Sequence, residues 1–181
     1  RPLSIMLAFI KQFFAPAAPK PDVTPLYRAV VLQVRQPAFY TAFGVPDTVD
    51  GRFDLLLLHI ILVIRRFTGD GVVRQALFDL MFNDMDRNLR EMGVGDMSIG
   101  KRIKPMLAAF YGRAQAYEQG LAKGDDELVE ALQRNLYRKT EPSAEALNRM
   151  TAYIRRVVDG LGNMSTADLL SGDFSFVVTV D

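Results

Sequence analysis

Apolar residues recur at helical spacing along most of the chain, and this pattern predicts an all-α fold. The run 55–64 is apolar on every side apart from His59, so we expect it to be the buried central helix of one compact multi-helix domain. Helices are expected over 24–35, 53–66, 72–92, 98–123, 125–139 and 143–159, with short helical pieces near 38–44 and after Ser165.

The amino-terminal part of the chain differs from this helical body. Residues 1–14 are strongly apolar and predict a hydrophobic helix, but the twelve residues 3–14 would rise only about 18 Å, too little to cross a hydrocarbon core of about 30 Å. We interpret this segment as a docking or interfacial helix, with the remnant of a targeting sequence as the alternative. Residues 15–25 carry four prolines and predict an extended linker.

The helical domain is therefore placed at 26–172, followed by a tail at 173–181. Within the tail, residues 174–180 alternate as a β-strand would, although no second clear strand is present. A lone strand leaves its backbone groups unpaired, so we expect either a loose tail or pairing with another chain.

Local signals predict several helix ends. Thr24 followed by Pro25 is expected to begin one helix, and Asp50 is expected to cap the next. Pro105 falls inside the helix 98–123 and should kink it. Stops are expected at Gly93 and Gly124, and a capping pair at Ser165 with Asp168.

Composition narrows the chemistry further. There is no cysteine, which excludes disulfides, thiolate nucleophiles, iron–sulfur clusters and cysteine-ligated zinc, and the single histidine excludes a bis-histidine site within one chain. No nucleotide-binding, zinc-protease or hydrolase motif is present. His59 is best explained as a core histidine with satisfied ring nitrogens. We therefore predict a protein that is not an enzyme, with no catalytic residue, metal site or cofactor.

The net charge of +1, from 22 basic and 21 acidic residues, gives no overall attraction to nucleic acid or anionic lipid. Any such contact needs a local patch. Basic pairs at 65–66, 138–139 and 155–156 lie in the last turns of predicted helices, where cations complement the helix dipole. The basic patch 101–104 lies instead in the first turns of its helix. It is either a solvated face or a site for an anionic partner such as RNA phosphate or lipid headgroups, through Lys101, Arg102 and Lys104.

One flank of the predicted helix 72–92 is charged in its second half. These residues have i,i+3 and i,i+4 spacings that pair opposite charges. The flank is either a solvated face or a polar network that fixes helix packing or a partner. Its candidate partner-binding residues are Asp84, Arg87, Asn88 and Glu91.

Methionines are concentrated between residues 81 and 106. Flexible thioether side chains suit irregular cores, and they also suit surfaces that accept variable apolar ligands. Both interpretations stay open for Met81, Met85, Met92, Met97 and Met106.

Two stretches carry a family resemblance: PAFYTAFGVPDTVDGRFDLLLLH, and ALFDLMFNDMDRNLREMGVGDMSIGKRIKPMLAAFYGR. They resemble the ubiquinol–cytochrome c chaperone family, with similarity over roughly residues 26–170. The most specific piece is FNDMDRNLREMGVGD, residues 82–96. Positions that match the family strings are Asp47, Asp50, Arg52, Asp54, Asp84, Asp86, Arg87, Asn88, Arg90 and Asp96.

The resemblance implies an all-helical assembly chaperone that binds newly made cytochrome b and supports assembly of the ubiquinol–cytochrome c reductase. It implies further partners as well, namely the ribosome, a small partner subunit and peripheral contact with the membrane. We expect a bacterial protein at the cytoplasmic face of the inner membrane, with the mitochondrial matrix and inner membrane as the alternative.

Two other functions stay open at this point. One is a ribosome- or RNA-binding helical module whose link to cytochrome b is indirect. The other is a haem-binding carrier in which His59 or a methionine serves as an axial ligand.

Overall fold

The fold is built around a central helix in which residues 57–64 are all buried. The structure, a computed structural model, describes residues 21–91 and 99–176, and within these ranges the chain is helical with no strand. Its helices are α1 Thr24–Val34, α2 Ala38–Thr41, α3 Val49–Arg66, α4 Gly71–Glu91, α5 Ile99–Lys123, α6 Asp125–Leu132, α7 Ala144–Asn163 and α8 Thr166–Ser171. The all-α prediction is confirmed.

The apolar run of α3 is buried, as predicted, whereas Val49 and Arg52 near the start of the helix are exposed. Every residue from Leu57 to Ile64 is buried. The helix contacts α1, α4, α5, α7 and the π-helical turn that follows α6. It therefore holds the core around which the other helices pack.

The predicted caps of the first two long helices are both off by one or two residues. Val23, without a side-chain cap bond, precedes α1, and Thr24 is already helical with Pro25 in the first turn. At α3, the Thr48 hydroxyl accepts the first-turn hydrogen bond from the Gly51 amide at 3.0 Å. Asp50 lies in that first turn instead, where its charge favours the helix dipole.

Helices α5 and α6 form a tight hairpin. Helix α5 includes Pro105 and ends at Gly124, whose φ of 141° suits glycine. Gly120 lies against α6, since a Cβ there would come within 2.7 Å of Leu128 Cα. The kink at Pro105 stays a prediction.

The predicted helix 125–139 changes its winding before it ends. After α6, a π-helical turn spans Gln133–Tyr137, and it places both Leu136 and Tyr137 inside the core. The Tyr137 hydroxyl donates to the Phe43 carbonyl at 2.7 Å. Arg138 follows with a φ of 52°, a strained conformation for a residue with a Cβ.

Helix α7 is longer than its sequence predicts. The expected end is Asp159, yet the helix continues through two glycines, residues 160 and 162, to Asn163. Leu161 is buried in this last turn. Arg66 also donates hydrogen bonds to the Leu161 and Met164 carbonyls at 2.9 and 2.8 Å, which satisfies the helix end from a distant helix.

The short helix α8 begins as predicted, with the Ser165 hydroxyl accepting from the Asp168 amide and donating to its carboxylate. The strand prediction is wrong for residues 174–176, which are irregular. The Phe176 side chain is buried and packs edge-on against the His59 ring of α3, with 5.7 Å between the ring centres.

Several expectations lie outside the described residues. These are the helix 1–14, residues 15–20 of the linker, the stop at Gly93, and tail residues 177–181. The domain limits 26–172 also stay predictions. Among the helices that the structure describes, none is both long enough and apolar enough to cross a membrane.

Candidate interaction surfaces and the polar clusters behind them

The charged flank of α4 is tied to α1 by one side chain. The Tyr27 hydroxyl donates to Asp84 Oδ2 at 2.9 Å, and Asp84 Oδ1 accepts from Arg87 Nη2 at 2.5 Å. Tyr27 is buried and Asp84 is mostly covered, whereas the Arg87 side chain is 66% exposed. Burial and the adjacent carboxylate of Asp84 raise the pKa of Tyr27. The tyrosine therefore stays a donor.

Beyond Asp84, the flank faces solvent. Asn88 and Glu91 are exposed, and Arg90 pairs with Asp86 at 2.9 Å along the helix. Arg87 is exposed, so the part of the flank that contributes to helix packing is the Asp84 carboxylate, through Tyr27. The flank is a solvated face with one anchored carboxylate, and its role as a partner site stays a prediction.

The basic residues at 101–104 lie in the first turns of α5, as expected. The side chains of Lys101, Arg102 and Lys104 are outside the described part of the structure, and so is Asp96. Their proposed contact with an anionic partner therefore stays a prediction.

The family-type residues around the start of α3 divide into exposed and buried members. Arg52 Nε pairs with Asp47 Oδ1 at 2.6 Å on the surface, and its guanidinium lies 5.4 Å from the centre of the Tyr40 ring. Gly51 is pressed against the preceding loop, because a Cβ there would lie 2.0 Å from the Pro46 carbonyl oxygen. The loop geometry thus explains why this motif needs a glycine.

Asp54 is the buried member, with 2% of its side chain exposed. Its Oδ1 accepts from Arg113 Nη2 at 2.8 Å, and its Oδ2 lies 3.4 Å from Arg138 Nη1. Burial raises the pKa of Asp54, and the two guanidinium groups oppose that rise. The partly exposed Arg138 also reaches the exposed Asp50, at 3.9 Å. Asp54 therefore joins α3 to α5 and to the strained residue after the π-helical turn.

His59 is a core histidine with both ring nitrogens bonded, as predicted. The Leu55 carbonyl can only accept, so His59 Nδ1 carries the proton and donates to it at 2.8 Å. His59 Nε2 then accepts from the Tyr153 hydroxyl at 2.5 Å, and Gln33 Nε2 donates to that hydroxyl at 3.3 Å. Burial lowers the pKa of His59 to about 4. No free ring nitrogen is left for an axial haem bond.

A groove lies beside this cluster, and Gln33 and Phe176 line it. It runs between α1 and residues 171–176 and has a volume of about 550 Å³. We call it the α1–tail groove. Leu32, Phe174 and Phe176 give it apolar walls, and Arg28 and Gln36 stand at its polar rim. Its two walls are more than 130 residues apart in the chain, so no local pattern predicts it.

Comparison with known proteins assigns the family. The family model described as Ubiquinol-cytochrome C chaperone matches residues 41–176, more than half of the 181-residue chain. The chain belongs to the ubiquinol–cytochrome c chaperone family. The resemblance noted in the sequence is thereby confirmed.

Relatives within this chaperone family support the assignment. The chain is 24% identical over 149 residues to "Ubiquinol-cytochrome-c reductase complex assembly factor 1" of Xenopus laevis, covering 80% of this chain and 74% of that protein. It is 25% identical over 156 residues to the protein of the same name from Homo sapiens, but spans only 52% of that relative's length.

A solved structure shares the chaperone fold. The crystal structure of the Cbp3 homolog from Brucella abortus is similar with a TM-score of 0.76 and 34% sequence identity, over 97% of this chain and 96% of that chain.

Several residues that build these chaperone-family clusters were not singled out by sequence reasoning. Tyr27, Tyr153 and Arg113 are each isolated polar groups within apolar helical stripes, which is the one local signal that could have drawn attention to them. Their partners are 57, 94 and 59 residues away. Only the packing of helices reveals which polar group each one meets.

The methionines divide between core and partly covered positions. Met81 is fully buried, in agreement with the core interpretation. Met85 and Met106 are partly covered, and Met92 and Met97 lie outside the described side chains. An adaptable apolar surface at this place stays a prediction.

Proposed function

We propose that this protein is an assembly chaperone that binds newly made cytochrome b and supports assembly of the ubiquinol–cytochrome c reductase. One observation carries the proposal: residues 41–176 match the chaperone family, and the relatives of known role are named assembly factors of that reductase complex. Holding a client needs contacts and no bond chemistry, so the protein is proposed to act without catalysis.

The proposed contact surface combines the α4 flank and the start of α5. On the flank, Arg87, Asn88 and Glu91 are exposed, while Asp84 is held in place by Tyr27. A polar rim of this kind suits the loops and helix ends of a membrane protein. The basic residues 101–104 would add attraction to anionic lipid or to ribosomal RNA. A small partner subunit belongs to the same proposal.

The proposed location follows from the client. Cytochrome b is a membrane protein, so the chaperone would work in peripheral contact with the membrane. We propose the cytoplasmic face of the bacterial inner membrane, with the mitochondrial matrix side as the alternative for a processed form.

The deciding experiment is affinity purification of the native protein from its host in mild detergent. We expect cytochrome b to be recovered, and to be recovered less by a variant with Arg87→Glu and Asn88→Glu. The matched control carries Arg134→Glu and Gln133→Glu. These changes likewise replace one arginine and one side-chain amide, at exposed positions of the π-helical turn.

Recovery of ribosomal proteins without cytochrome b would instead support a ribosome-binding module. Recovery of neither from wild-type protein would contradict the proposed function. Equal recovery by the α4 variant and wild type would remove the flank from the proposed surface.

A further inference from the structure

The α1–tail groove contains an apolar side chain that nothing described covers. Leu32 is 56% exposed, whereas Leu26, Val30 and Val34 on the other side of α1 are buried. The remaining exposed large hydrophobics of the described residues, Val49 and Val72, are outside the groove. Among the described residues, Leu32 is thus the exposed large hydrophobic that lies in a concave site, next to the aromatic side chains of Phe174 and Phe176, and such a site can bind a partner with an apolar face.

The groove is also connected to the core. Gln33 lies in its wall and donates to Tyr153, which in turn donates to His59. Phe176, which also lines the groove, is buried against His59. Gly172 closes the near end, where a Cβ would come within 2.6 Å of the Pro25 carbonyl oxygen. The walls are therefore fixed, and a ligand meets a preformed surface.

The chain itself supplies a segment that starts beside this groove. The described residues begin at 21, and Asp22 lines the groove, so the proline-rich linker leaves from its edge. Beyond the linker come residues 3–14, with Leu3, Leu7 and Ile10 among the positions of a predicted apolar helical stripe.

The lengths agree. The wall formed by α1 and the two residues after it runs from Thr24 to Gln36, about 18 Å at the helical rise. A twelve-residue helix has about the same length. Six extended linker residues, 15–20, span about 19 Å at the polyproline rise, enough to bring the segment back along α1. A tether this short gives an effective concentration in the millimolar range, so even a weak contact would be occupied.

We propose that residues 3–14 dock in the α1–tail groove of their own chain and cover Leu32. The hydrophobic amino-terminal segment then occupies the groove of the same molecule. This inference does not depend on the client of the chaperone, and its test uses no cytochrome b.

The test measures how fast a single thiol in the groove is alkylated. Because the chain has no cysteine, Leu32→Cys introduces a unique thiol in the full chain. We expect that thiol to react at least about fivefold faster when Leu7→Asp and Ile10→Asp are added, since the charges prevent docking of a segment held at millimolar effective concentration.

Two controls define the result. Ser4→Asp with Gln12→Asp adds the same charge at polar positions of the segment and should leave the Cys variant of residue 32 protected. Val72→Cys, which is 43% exposed and outside the groove, should react at one rate in every background.

Equal alkylation of the residue-32 thiol with and without the segment charges would overturn the proposal. Protection that grows with protein concentration would overturn it in favour of a second copy of the chain. Protection that appears only when anionic phospholipid vesicles are added would overturn it in favour of a membrane-bound segment.

Discussion

Single residues buried between helices decide how this fold responds to pH and substitution. Apart from tyrosines, His59, Asp54 and Thr151 are the buried polar or charged residues in the described part of the chain, and each makes a hydrogen bond. A buried polar group that keeps its hydrogen bond contributes little to the free energy of unfolding. Removing one of the two partners lowers that free energy strongly, because the remaining partner is desolvated without a compensating bond.

His59 predicts a loss of stability in acid. Its pKa in the folded protein is about 4, below the usual 6.5, so the unfolded chain takes up a proton first as the pH falls. The free energy of unfolding should therefore drop by about 3 kcal/mol between pH 7 and pH 4. Urea unfolding at a series of pH values measures this. His59→Gln lacks the titrating ring, so its free energy of unfolding should lose this dependence on pH. An unchanged dependence on pH would contradict the lowered pKa of His59 as its cause.

Asp54 predicts a strong effect of losing one buried charge. Asp54→Asn leaves Arg113, only 17% exposed, without its counter-charge, and should lower the free energy of unfolding by about 3 kcal/mol. Adding Arg113→Met should recover part of that loss. The control Asp47→Asn removes the exposed partner of Arg52 and should change stability little. Equal effects of both asparagine variants in chemical unfolding would be inconsistent with a buried pair.

At the scale of helices, close approach and single cross-helix bonds fix the arrangement. The α5–α6 hairpin requires a glycine where the backbones meet, and α1 is held to α4 by one hydroxyl. Both features join elements whose own patterns predict only that they are helical.

Gly120 gives a prediction for the hairpin. Gly120→Ala places a methyl group against the Leu128 backbone, which cannot move aside as a flexible side chain would, so we expect a loss of about 1–3 kcal/mol. Gly112→Ala lies in the same helix with nothing within 4 Å, and should instead gain about 0.5–1 kcal/mol. Thermal unfolding of the two variants compares them directly, and equal shifts would be evidence against the close contact.

The Tyr27–Asp84 bond gives a prediction for the contact between α1 and α4. Asp84→Ala should cost about 1–2 kcal/mol because it leaves the buried Tyr27 hydroxyl without an acceptor. A double-mutant cycle with Tyr27→Phe should return a coupling of about 1 kcal/mol. Asp86→Ala, which removes an exposed pair with Arg90, should have little effect. Zero coupling would show that the carboxylate is merely solvated.

For the whole molecule, the near-neutral net charge means that attraction to anionic surfaces has to be local. The start of α5 is the proposed place, because cations there oppose the helix dipole, and helix stability does not explain them.

We expect Lys101→Glu, Arg102→Glu and Lys104→Glu together to weaken co-sedimentation with ribosomes or membranes, with helical circular dichroism unchanged. The control reverses three exposed cations elsewhere, Lys123, Arg134 and Lys139, for the same change in net charge. If the two triple variants sediment alike, the attraction is not local to α5.

Sequence reasoning was accurate where a signal is local. The start of α4 and the end of α5 were predicted to within a residue, because the apolar stripes and the glycine after α5 act within a few turns. It was less accurate for α7 and for the turn after α6, because Arg66 and Phe43 complete those ends from distant positions. The same holds for the candidate site. The i,i+3 spacing predicts the pair of Arg87 with Asp84, but no local pattern predicts the hydrogen bond from Tyr27, which is 57 residues away.

The sequence by itself determined the helical class, the buried central helix with His59 inside it and, through the resemblance of its motif strings, the chaperone family. Periodicity is enough for the helical class and the central helix, since it depends on neighbours within one or two turns. Only the tertiary structure decided that Asp54 meets Arg113 and Arg138, that Tyr153 meets His59, and that α1 and the tail enclose a groove. Those contacts join parts of the chain that become neighbours only when the apolar faces pack together.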